Sequence, residues 1–263
     1  MFIARSAVVL LGIALLTVAP PVRGESVASC PATAPEPAVV ERVIDGDTIA
    51  LNDGPVVRLA GIAAPKGEAN PTLAEAARRG LESLVLGKVV LVGNRDGNPD
   101  RYGRLTAQLF LRDGGMWIEG EMLRRGLARV FTLRDRRACG RALLAAEDEG
   151  RAGRAGLWAD PGFAIRAADD SSLLQAKHLY QIVEGRVLSM GRTAGAIYLD
   201  FGRDWSTDFT VTVNAPDAPF LEAEGLQLDA LPGRRVRVRG WLEEWNGPTI
   251  RVDHPEQIEV LGK

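Results

Sequence analysis

Residues 39–111 are built from short runs of β-branched and aliphatic residues, VVERVI, TIAL, VVRLAGI, KVVLVG and LTAQLFL. Turn signals punctuate this part of the chain at Asn52-Asp53-Gly54 and Asn98-Pro99-Asp100, and a further one follows at Asp113-Gly114-Gly115. A run this short cannot bury its own apolar face, and the strands do not alternate regularly with helices as a parallel sheet would require. They must close on one another as a small barrel. Three helical stretches attach to it. Residues 71–86 carry Leu73, Ala77, Leu81, Leu84 and Val85 near helical spacing, residues 116–125 stop at Gly126, and residues 137–155 stop at Gly156-Leu157-Trp158. The class is mainly β with α, an α+β fold.

The 263 residues suffice for one large domain or two small ones. Arg5 precedes the apolar run AVVLLGIALLTVA at 7–19, which Pro20 and Pro21 interrupt before Val22-Arg23-Gly24. That order describes an export signal over 1–24, and the run is shorter than the roughly 20 residues a membrane span needs. The expected location is periplasmic or secreted. Cys30 and Cys139 are the two cysteines. In an oxidising compartment they are a candidate disulfide; the rival reading, from Val27-Ala28-Ser29-Cys30, is a lipidated Cys30 with Cys139 free. Two histidines and two scattered cysteines exclude three-histidine and four-cysteine metal sites and leave carboxylates as the main option.

Residues 25–37 read as a linker, 38–160 as the first domain, 161–176 as a second linker and 177–263 as a second domain. In the latter, strand runs IVEGRVLSMG, AIYLDF, DFTVTV, RRVRVRGWLEEW and TIRVDHPEQIEV flank one short helix over 218–228. Five strands with one helical insert predict a small barrel of the oligonucleotide/oligosaccharide-binding (OB) type. Arg235, Arg237 and Arg239 alternate with valines and read as guards against edge pairing, with a basic single-strand groove as the alternative. Charge disfavours the groove. Residues 161–263 hold 11 Lys+Arg against 15 Asp+Glu, whereas 38–160 hold 19 against 17. Nucleic acid, if contacted, is therefore expected on 38–160. The second domain's ligand is unknown, and His178 and His254 read as structural.

Val43-Ile44-Asp45-Gly46-Asp47-Thr48 sets two carboxylates around a glycine at a strand end. Such a pair can hold a hard cation, and it can equally be a hairpin turn. Val57-Arg58-Leu59-Ala60-Gly61-Ile62-Ala63-Ala64-Pro65 follows, and later Asp100-Arg101-Tyr102-Gly103-Arg104, RRGLARV and GLWAD. Two arginines beside turns suit a bidentate grip on phosphate.

Together, in this order and over residues 39–160, these segments resemble the staphylococcal nuclease (thermonuclease) family. The resemblance implies a five-stranded barrel with three helices and a calcium-dependent nuclease that cuts DNA and RNA phosphodiesters. It further implies that Asp47 is a Ca²⁺ ligand with Asp45 behind it, and that Arg58 and Arg104 hold the phosphate and its developing charge. Arg101 and Tyr102 are candidate nucleic-acid contacts, Tyr102 as a ring to stack on or hydrogen-bond a nucleotide, with a place in the core as its alternative.

The family reads D-x-P-E where this chain has Ala63-Ala64-Pro65-Lys66. Ala63 offers no side-chain oxygen, and a charged lysine has donors only, with no lone pair for a proton. A base that activates water contributes about 10²–10⁴-fold, and that role is unfilled. The expectation is an exported nuclease-family protein with a degraded metal and base site, with weak or absent activity and weakened calcium binding. Two alternatives stand beside it: an active calcium-dependent endonuclease with a remodelled site, using Glu68 or Lys66, and a non-catalytic envelope-binding module.

Overall fold

A computed structural model of the chain describes residues 30–52, 54–93 and 98–262. The expected export signal and Asp53 of the first turn lie outside the described residues. No helix among the described residues is long and apolar enough to cross a membrane.

The first unit comprises strands β1 (Glu36–Asp45), β2 (Thr48–Leu51), β3 (Val56–Leu59), β4 (Ile62–Ala63), β5 (Val89–Gly93), β6 (Leu105–Leu111) and β7 (Arg129–Val130). Five of them close a barrel in the order β1-β2-β3-β6-β5, while β4 pairs with β7 beside it. Only the β3–β6 seam of the barrel is parallel. Alternation along β3 and β5, and a register shift in β1 between Val40 and Arg42, turn Val40, Val43, Val57, Leu59, Val90 and Val92 inward, and these form one core with the helices.

Helix α1 (Pro71–Val85) begins at a proline, whose missing N–H costs nothing in the first turn, and buries Ala77, Leu81, Leu84 and Val85. Helices α2 (Ile118–Arg124) and α3 (Gly140–Ala152) complete the set of three. Each is shorter than its apolar pattern suggested, because the flanking residues are used as caps and turns.

The second unit is a curled sheet. Its strands are β8 (Arg166–Ala167), β9 (Tyr180–Arg186), β10 (Ser189–Arg192), β11 (Ala196–Asp200), β12 (Thr210–Asn214), β13 (Arg235–Glu244), β14 (Pro248–Val252) and β15 (Ile258–Val260), and α4 (Ala218–Ala223) is its one α-helix. The spatial order is β10-β11-β12-β14-β13-β9-β8, with β15 also on β13. Two sequence runs split in two. IVEGRVLSMG breaks after Arg186, where Val187 N–H turns to Arg234 O, and TIRVDHPEQIEV breaks at a helical turn over Pro255–Gln257.

The reading of Arg235, Arg237 and Arg239 is corrected on both counts. Strand β13 is an interior strand, paired with β9, β14 and β15, so its arginines guard no edge. Nor do they line an open groove. Arg239 is fully buried, donating to Glu147 of α3 at 2.8 and 3.2 Å and to Glu259 at 2.6 Å. Glu147 also accepts from Val130 N–H at 2.7 Å and pairs with Arg151. Burial works to raise the Glu147 carboxyl, but Arg239, Arg151 and the Val130 amide together hold it below its ordinary value. Arg239, with Arg237 donating to Asp148 at 3.0 Å, thus joins the two units, while Arg235 pairs with Glu184 within the second.

Further ties run alongside. Arg129 donates to Tyr180 O at 2.8 Å, Thr132 and His254 share a 2.8 Å hydrogen bond, and Arg137 pairs with Glu224 and Glu256. The Phe131, Tyr180 and Trp241 rings pack across the same boundary. Cys30 and Cys139 form a disulfide, so the lipidated alternative gives way to the pairing.

Candidate functional site

Asp45 ends β1, Asp47 precedes β2, and Gly46 between them must be glycine. A Cβ there would lie 2.6 Å from that of Ala77 on α1 and 2.7 Å from that of Ala64. The tight turn is closed by Asp47 N–H, which donates to Asp45 Oδ1 at 3.0 Å. Leu59 N–H donates to Asp47 O at 2.8 Å, tying the arginine-bearing strand β3 to the turn. Gly61, with φ near 73°, turns the chain after β3 where a Cβ would strike Leu143 at 2.3 Å. This turn carries the following loop, Ala63 to Lys66, back over the aspartates.

Asp47 is fully buried, and donors within the chain hold both of its oxygens. Ala64 N–H donates to Oδ2 at 2.9 Å, and Thr48 Oγ1 donates to Oδ1 at 3.0 Å. The remaining donor is Lys66. Its Nζ lies 2.8 Å from Asp47 Oδ1 and 2.9 Å from Asp45 Oδ2, bridging the two carboxylates. Burial acts to raise the Asp45 carboxyl; the Asp47 amide and the Lys66 ammonium outweigh it and keep it below the ordinary aspartate value. Among the described residues no third carboxylate, histidine or cysteine completes a metal-ligating group. Glu68 is exposed in the next turn.

Arg58 sits on β3 opposite Thr48 on one side and Thr106 on the other. Its guanidinium lies over the Phe131 ring at 5.8 Å, and it pairs with no carboxylate among the described residues. Arg136 shares its cleft with Phe131 and Thr106, donating to Thr106 Oγ1 at 3.1 Å. Sequence reasoning did not single out Arg136; only the arginine density of Arg134-Asp135-Arg136-Arg137 hinted at it.

Arg104 is differently placed. Asp100 receives its Nε at 2.9 Å and its Nη2 at 2.8 Å, and the Arg104 and Tyr102 amides as well. Burial works to raise the Asp100 carboxyl, and these donors, the Arg104 side chain foremost, bring it below its ordinary value. Arg104 therefore offers an incoming anion less uncompensated charge than Arg58 does. Tyr102 is exposed, not core, with Arg101 at 4.8 Å and Arg104 at 5.0 Å from its ring.

Comparison with known proteins bears on this arrangement. A family model described as staphylococcal nuclease homologue matches residues 56–160. Protein ParB of Escherichia coli is 35% identical over 152 residues, covering 51% of this chain and 79% of that protein. An uncharacterized endonuclease of Escherichia coli O157:H7 is 35% identical over 124 residues, 46% of this chain and 76% of that protein. An uncharacterized 38.1 kDa protein of Capnoides sempervirens is 36% identical over 103 residues, but they make up only 28% of its length.

Proposed function

Because the chain belongs to the staphylococcal nuclease homologue family, we propose that it binds nucleic-acid phosphates on the first barrel while its calcium-dependent cutting is weak or absent. One observation carries this reading: Lys66 Nζ sits between Asp45 and Asp47, 2.9 and 2.8 Å from their oxygens. A calcium ion does not fit this donor set. It takes six to eight oxygens at about 2.3–2.6 Å, whereas here one aspartate has both oxygens engaged, Ala63 supplies no side-chain oxygen, and a cation already bridges the pair.

Arg58 presents a planar fork of donors to a phosphate, Arg136 adds a second from the same cleft, and Phe131 fixes the face of the first. Such preorganised cations hold a phosphodiester and favour charge that develops on it. What the site lacks is a group to take the proton from water, since the ammonium at position 66 only donates. Tyr102, exposed between Arg101 and Arg104, offers a ring for a base to stack on. Export to an oxidising compartment belongs to the same proposal, supported by the Cys30–Cys139 disulfide together with the apolar N-terminal run.

The test is a cleavage and binding assay on the full chain with single-stranded DNA, in calcium and in EDTA. Salt-dependent binding is expected in both, with cutting at least about 10²-fold below that of a relative with Asp and Glu at the positions of Ala63 and Lys66. Robust calcium-dependent cutting by the wild-type chain would overturn the proposal in favour of a remodelled active site.

A further inference from the structure

The outer face of the second sheet carries two rows of residues in register. Ser189, Asp200, Thr210, Thr249 and Glu243 face one another across β10, β11, β12, β14 and β13. The neighbouring row places Tyr198 opposite Thr212, and Thr212 opposite Arg251. A cleft of about 320 Å³ opens over this face, at the small end of the about 300–1,000 Å³ typical of ligand pockets.

Trp205 and Trp245 line the cleft and are 66% and 70% exposed. Trp205 belongs to the β11–β12 connection and Trp245 to the β13–β14 turn, and both are held. Asp204 accepts from Ser206 N–H and Oγ at 3.0 and 2.5 Å, and Asp208 accepts from Asp204 N–H at 2.8 Å. The turn packs so closely on the connection that a Cβ on Gly247 would lie 2.6 Å from Thr207 O. Thr249 Oγ1 donates to Trp245 O at 3.1 Å. The two indoles therefore stand on built supports.

Between them lie polar groups with hydrogen-bonding capacity to spare. The Tyr198 hydroxyl, the Thr212 hydroxyl and the Asn246 amide make no hydrogen bond among the described residues, and Asp200 spends one oxygen on Ser189 at 2.9 Å. Asp200 is the one acidic or basic side chain lining the cleft, and Asp204 and Asp208 follow it in the β11–β12 connection. Arg251, opposite Thr212 on the same face, and Arg203, two residues from Trp205, border the cleft but do not line it.

We propose that this cleft binds a neutral oligosaccharide. Indole faces cover the apolar C–H faces of pyranose rings, and the carboxylate, hydroxyls and amide between them match ring hydroxyls. A single-stranded nucleic acid would use the same aromatic platforms, but it needs cations along its backbone, and this lining supplies an anion. The site is separate from the arginine cleft of the first barrel and does not depend on whether that barrel cuts nucleic acid.

Isothermal titration of the full chain with cellohexaose, chitohexaose and a short oligothymidylate tests the proposal. Saturable binding of at least one sugar is expected, accompanied by a change in tryptophan fluorescence and not displaced by the oligothymidylate. Trp205→Ala and Trp245→Ala should each weaken it about tenfold, as expected for loss of an aromatic platform. Both side chains are exposed, so the variants should melt with the wild type. Asp200→Asn should also weaken binding. Failure of both sugars to bind, or binding that survives the double tryptophan variant, would overturn the proposal. Tryptophan-dependent binding of oligothymidylate alone would do so too, and would make the face a nucleic-acid platform.

Discussion

Removing the Lys66 ammonium and restoring a carboxylate at position 63 should convert the aspartate pair into a calcium site. The Nζ to oxygen distances of 2.8 and 2.9 Å exceed calcium–oxygen distances by about 0.2–0.6 Å, so a cation could take that position with a small inward shift. In the wild type an entering ion must first displace the lysine. A divalent ion and an ammonium moved about 5 Å aside repel by about 7 kcal/mol at an effective dielectric of about 20. Lys66 is 53% exposed, so solvent screening reduces this; about 3 kcal/mol, or two decades in affinity, is a fair allowance. Lys66→Ala alone should gain that much. Ala63→Asp with Lys66→Glu adds two ligands and should reach about 10⁻⁴–10⁻³ M, the range of extracellular calcium modules. The assay is thermal unfolding with and without about 10 mM calcium. Saturation to about 100 Kd would stabilise the double variant by about 2.7 kcal/mol, while the wild type should not shift. A double variant that ignores calcium would refute the reasoning, as would a wild type that responds equally.

Four other outcomes follow from the geometry. Arg58→Ala should weaken single-stranded DNA binding at every sequence and lower the salt slope by about 1; an unchanged slope in anisotropy titrations would remove Arg58 from the phosphate contact. Arg239→Ala should cost about 3–5 kcal/mol in urea unfolding by stripping a buried carboxylate of its main partner, whereas Arg239→Met with Glu147→Leu should be far milder. A cost under about 1 kcal/mol for the single change would contradict this. Because the Asp45 carboxyl is held below its ordinary value of 3.8, its contribution is complete above that pH and is lost as pH falls through the lowered value. In melting curves against pH, Lys66→Ala should flatten that acid limb. Cys139→Ser opens a 109-residue separation and should destabilise by up to about 4.7 kcal/mol relative to the oxidised wild type in the chain-entropy picture, whereas the reduced wild type should melt with the variant.

Much of the first barrel was legible because its signals are local. Period-two alternation marks β3 and β5, helical spacing marks α1, and Gly46 and Gly61 mark the turns that a side chain would block. The substitutions at 63 and 66 were legible too, but their meaning was not. A lysine in place of an acid reads as a loss, and only three dimensions show its ammonium bridging the two remaining acids. The arginines of β13 mislead for a related reason. Alternation tells which residues share a face but is silent on what covers it, and the cover here is α3, nearly a hundred residues earlier. Arg136 escaped notice because its neighbours Arg134 and Arg137 look identical in sequence, yet they pair with Asp217 and with Glu224 and Glu256, while Arg136 turns to Thr106, with exposed Asp135 no closer than 3.9 Å.

The Cys30–Cys139 bond turns the stretch between the cysteines into a covalent ring. Every strand of the closed barrel lies inside it, along with Asp45, Arg58, Lys66, Arg104 and α1, whereas α3 and the curled sheet lie outside. A protease that clips an exposed turn within the ring, such as Asp113–Gly115, therefore leaves one molecule with an extra pair of ends, its site still tethered. The same clip after Gly140 separates two chains that only non-covalent contacts hold together, among them the Leu157 N–H to Gly126 O hydrogen bond. Electrophoresis of digested protein with and without a reductant would show the asymmetry directly. The proposed phosphate cleft is thus guarded by covalent topology, and the proposed sugar cleft by packing alone.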